Sequence, residues 1–68
     1  MRTEKLKEKA EELIEEGRKP SVQLLSQELN WMEEDVHSCL NALEKKGEVK
    51  TYTKKFLGRK IRLVSVKR

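Results

Sequence analysis

A chain of 68 residues with 41% charged and 35% apolar side chains has material for one thin core, which excludes a second domain or a deep catalytic compartment. Its single cysteine rules out an internal disulfide, and neither a charged-apolar-small leader nor a long apolar span is present, so a soluble cytoplasmic protein is expected. The formal charge of +4 conceals a division: residues 1–48 carry eight bases and twelve acids, a net of −4, whereas residues 49–68 carry eight bases and no acid.

The first helix is expected over residues 3–16, capped by Thr3 and ended by Gly17. Leu6, Ala10, Leu13 and Ile14 recur at helical spacing on one face, with Glu4, Glu8, Glu11 and Glu15 on the other. That acidic stripe reads as a solvated surface and has to face away from any bound polyanion. Residues 17–20 leave room for a short edge strand. Pro20 disfavours helix for Lys19, and Ser21 can offer its hydroxyl to an orphan N–H of the next turn, so a second helix is expected over 21–29. Val22, Leu25 and Leu29 share one face of it, with the small Ser26 between them, where a crossing helix can approach closely.

Asn30, Trp31 and Met32 make the following corner, where asparagine tolerates the left-handed conformation that ends a helix abruptly. A third helix over 33–46 then carries Val36, Cys39, Leu40 and Leu43 at i, i+3, i+4 and i+7, and stops at Gly47. Two short helices joined this tightly must bury their stripes against each other, which is a helix-turn-helix. The expected core is Leu6, Leu13, Ile14, Val22, Leu25, Leu29, Trp31, Val36, Leu40, Leu43, Val49, Val64 and Val66.

After Gly47 the apolar period becomes two, and residues 48–66 read as a β-hairpin rich in Val, Thr, Ile and aromatics. A turn on Gly58-Arg59 suits type II′ and pairs Leu57 with Lys60 and Phe56 with Ile61. The competing Leu57-Gly58 turn forces Leu57 to positive φ, so the first register is preferred. Val49, Thr51, Val64 and Val66 then share the face that closes over the helices. Tyr52, Phe56, Ile61 and Leu63 share the other with Lys50 and Lys54, an apolar set that is unusual for a solvent face. It meets a partner, packs on the first helix, or signals a reversed strand face.

The run Pro20-Ser21-Val22, Leu25-Ser26, Leu29-Asn30-Trp31, Glu33-Glu34-Asp35-Val36, Leu40 and Leu43 to Val49 resembles small winged helix-turn-helix domains, particularly archaeal ones, over roughly residues 4 to 66. In that family the position of Asn30 is usually glycine, that of Trp31 a buried aliphatic, and that of Met32 often a capping Ser or Thr, from which this chain departs. The resemblance implies an α+β fold of three helices, a short strand before the second, and a terminal two-stranded wing. It also implies a DNA-binding regulator, usually dimeric on two-fold sites. No helix follows the hairpin, so a homodimer is expected to use the first helix or the face of Tyr52, Phe56, Ile61 and Leu63. The dominance of Glu and Lys among the charges is a hyperthermophile bias and points to a thermophilic source.

Enzymatic chemistry has little to work with. His37 and Cys39 lie two apart on a helix and diverge, so they make neither a catalytic pair nor a metal edge, and Cys39 reads as core. Glu33, Glu34 and Asp35 splay around the helix axis and are explained by the helix dipole. No phosphate loop, zinc spacing or nucleophile elbow is present, so no cofactor, metal or small-molecule substrate is expected.

Binding of double-stranded DNA by a nucleoid-associated protein is the favoured reading. Glu34, Ser38, Asn41 and Lys45, with His37 beside them, form the outward ridge of the third helix and have the chemistry to address base edges. Lys50, Lys54, Lys55, Arg59, Lys60 and Arg62 supply phosphate contacts from the wing, with Arg59 at its tip. The three acids in the first turn of the third helix oppose its close approach to phosphates. The alternative function is a winged-helix protein-interaction module without specific DNA binding. RNA binding ranks lower, because one tyrosine and one phenylalanine are few for base stacking.

Overall fold

Residues 2–66 are described by the structure, a computed structural model. The elements are α1 (Arg2–Glu15), α2 (Val22–Leu29), α3 (Glu33–Lys45), β1 (Val49–Phe56) and β2 (Arg59–Val66). Three helices are thus followed by one antiparallel hairpin, an α+β architecture. Lys67 and Arg68, counted in the basic segment, lie outside the described residues.

Each helix is ended by the residue its sequence provides. Gly17, Asn30 and Gly47 all take positive φ, and the N–H of the next residue reaches back to Leu13, Ser26 and Leu43 respectively, at 2.9–3.0 Å. At the start of α2 the Ser21 hydroxyl accepts from the Leu24 N–H at 3.1 Å. The Ser26 hydroxyl donates to the Trp31 carbonyl at 2.5 Å and fastens the corner between α2 and α3. Met32 stands at the N-cap of α3 and supplies no side-chain bond, so that turn relies on Glu33, Glu34 and Asp35 against the helix dipole.

The core joins Leu6, Ala10 and Leu13 of α1, Val22 and Leu25 of α2, and Val36, Cys39, Leu40 and Leu43 of α3 to Val49 and Val64 of the hairpin. Leu29, Trp31 and Val66, expected inside, are half-buried and packed against this cluster, and Ile14 is also half-buried.

Three expectations need correction. Thr3, expected to cap the first helix, lies inside α1, which already includes Arg2. The short strand before α2 is reduced to a single bridge, Ser21 to Leu63, so two strands alone form among the described residues. Pro20 accepts from the Val64 N–H at 2.9 Å, but it has no N–H to return. Ser21 then leaves at once to cap α2.

The hairpin register is also shifted. Phe56 pairs with Arg59 and Lys55 with Lys60, so the turn is Leu57-Gly58. Both turn residues have positive φ, 52° and 77°, as a type I′ turn requires. This register sets Val49 opposite Val66 and Thr51 opposite Val64, and so brings Val49 and Val64 into the core. Holding a leucine in the left-handed region costs about 1–2 kcal/mol, less than the burial that the register secures for two valines. A shift of two residues preserves the alternation of faces, so the expected division of the hairpin stands. Its apolar outer set is split: Leu63 is buried and Ile61 half-buried, while Tyr52 and Phe56 are exposed.

Candidate functional site

On the face of the hairpin turned to the helices, Arg62 follows Val64 by one step of the alternation and lies against α3. Its guanidinium donates Nη1 to His37 Nδ1 at 2.9 Å and Nη2 to Asn41 Oδ1 at 3.0 Å and Glu44 Oε1 at 2.6 Å. Residues 37, 41 and 44 recur at i, i+4 and i+7, so one stripe of α3 supplies all three acceptors. A guanidinium donates only, so His37 Nδ1 is the acceptor in this contact. Arg62 is 20% exposed and its charge is taken up by Glu44.

This seam engages three of the expected site residues. His37 and Asn41 spend acceptor atoms on Arg62, and Arg62 is withdrawn from the free cations. Ser38 and Lys45 remain exposed on α3.

The other expected cations stand clear. Lys50, Lys54, Lys55, Arg59 and Lys60 are exposed, and none forms an ion pair among the described residues. Lys55 and Lys60 are direct cross-strand neighbours. In a two-residue hairpin the closing pair is hydrogen-bonded, which makes the next pair, Lys55 and Lys60, the non-bonded kind whose side chains lie closest. Like charges so placed repel and destabilise the ladder. An anion held between them removes that repulsion.

Several contacts were not anticipated. Arg2 lies 5.2 Å from the centre of the Trp31 ring and 3.7 Å from Asp35, so the start of α1 clasps the corner between α2 and α3. Lys7 donates to Glu48 at 3.0 Å and ties α1 to the root of the hairpin. The Glu48 hydrogen bond raises the Lys7 pKa above the ordinary lysine value. Cys39 is buried in the core, and burial pushes its thiol pKa up. The clearest omission is Glu44, whose spacing from His37 and Asn41 was the only available signal. At the hairpin tip Phe56 is 61% and Leu57 89% exposed.

Among the described residues no helix is long and apolar enough to cross a membrane. Among the described residues no three His, Cys, Asp or Glu side chains group to hold a metal. Compared with protein-family models, with curated proteins and with solved structures, the chain matches none.

Proposed function

We propose that the chain is a winged helix-turn-helix domain, with the hairpin as its wing, that binds double-stranded DNA as a small regulator-like protein, chiefly through phosphates. One observation carries this reading: five exposed wing cations have no acidic partner among the described residues, and two of them, Lys55 and Lys60, face each other across the strands. Such a cluster neutralises phosphates without reading sequence. The Arg62 seam holds the wing against α3, so the cations project from a fixed platform. With His37 and Asn41 partly occupied by Arg62, base contact from α3 falls mainly to Ser38 and Lys45, and discrimination between sequences is modest.

A titration of random duplex DNA at several salt concentrations tests the proposal. For about five phosphate contacts, log K should fall with log salt at a slope of about −4 to −5. Changing Lys54, Lys55, Arg59 and Lys60 together to Ala should flatten the slope to near −1. Unchanged affinity in that variant overturns the reading. The exposure of Tyr52 and Phe56 on the outer face favours one second reading, a protein-interaction module. Weak binding that ignores salt selects it.

A further inference from the structure

We propose that the wing tip is an apolar wedge: Leu57 enters the minor groove of duplex DNA and unstacks a base step, while Lys55, Arg59 and Lys60 hold phosphates on the rims. The inference rests on the duplex-binding reading and adds what the tip does once bound.

Leu57 is the most exposed large hydrophobic residue described, at 89%, and its backbone sits at φ 52°, where a leucine is strained and asparagine or glycine is not. Folding gains little from it. It buries almost nothing, and Gly58 already supplies one of the two positive-φ residues that a type I′ turn needs. Valine packing at the root sets this position to positive φ, and a solvated leucine there, in place of asparagine or glycine, is explained by a partner that takes it up.

The surrounding charge identifies the partner. Behind the tip, Lys55 and Lys60 occupy one face of the hairpin, and Arg59 and Lys54 the other, next to Phe56 and Ile61. An apolar point with cations on both sides complements a groove walled by phosphates. Two such tips placed against each other would bring eight cations together, so this patch opposes self-association.

The strands of the hairpin lie about 4.8 Å apart, and the B-form minor groove is about 6 Å wide, so only the turn itself can enter. Insertion of an apolar side chain between base steps from this groove unstacks them and kinks the duplex toward the major groove. Pyrimidine–purine steps yield most easily, so TA and CA steps should be preferred.

The test uses the full chain and a duplex carrying 2-aminopurine beside a central TA step, with a donor–acceptor pair at its ends. Wild type should raise 2-aminopurine fluorescence several-fold and shorten the end-to-end distance. Leu57→Asn completes an Asn-Gly turn and should melt at or above the wild-type midpoint, so loss of fold does not confuse the result. That variant should keep the salt slope, lose the fluorescence rise and the bend, and bind several-fold more weakly. If wild type binds with the wild-type salt slope but leaves the fluorescence unchanged, or if Leu57→Asn reproduces the wild-type rise, the wedge is overturned and phosphate binding stands. Failure of wild type to bind any duplex overturns both proposals. A Leu57→Asn effect on sedimentation without DNA, and none on fluorescence with it, makes the tip a protein contact and also overturns the wedge.

Discussion

At its root the hairpin sends Val49 and Val64 into the core, buries Leu63 on its other face, donates a hydrogen bond from the Val64 N–H to the Pro20 carbonyl, and is latched to α3 by Arg62, whereas every residue from 53 to 60 is exposed. One element therefore contains two regimes. In the root, apolar burial fixes the register and Arg62 finds the opposite charge of Glu44. In the tip, cations lie beside cations and a leucine is held in a strained backbone. The contrast teaches where this small chain spends its stability and where it leaves surface uncommitted.

The largest effect should come from the root. Leu63→Ala truncates a buried side chain on the residue whose backbone bridges to Ser21, and should cost about 2 kcal/mol or more, read as a lower midpoint in urea. An equally stable Leu63→Ala would erase the distinction between the two ends.

Arg62→Ala comes next. It breaks three hydrogen bonds, one of them charged on both sides, at a partly exposed site, so the loss should be about 1 kcal/mol. The salt slope of DNA binding should stay as in wild type, because Arg62 is already neutralised by Glu44. A flatter slope would place Arg62 with the tip cations.

Glu48→Gln should have the smallest effect. Because Glu48 raises the Lys7 pKa, this contact stabilises the fold below the unfolded lysine value, and its contribution is lost as pH rises through the raised folded value. Thermal midpoints of the variant should therefore sit slightly below wild type at neutral pH and converge with it in strong alkali. A difference that persists at high pH would assign the effect to packing.

What the sequence revealed divides along similar lines. The Ser21 cap, the left-handed Asn30 and the stop at Gly47 are local chemistry, and local chemistry can be read from residue types. The division of hairpin faces was legible because alternation survives a slip of two residues. The turn was not, because Leu57 is strained on account of valines that pack at the opposite end of the strands. The contacts of the α3 ridge with the hairpin were not legible for a related reason. Arg62 and Glu44 are 18 positions apart, and a helical projection of residues 33–46 contains no sign that a strand will lay a guanidinium across it.

Cys39 carries a practical consequence. As the only sulfhydryl in the chain, set among Leu6, Val36 and Leu40 and disfavoured as a thiolate by its burial, it is shielded from alkylating reagents for as long as the helices stay together. Its rate of labelling therefore counts the moments when the bundle parts, and supplies a native clock of opening that requires no engineered probe.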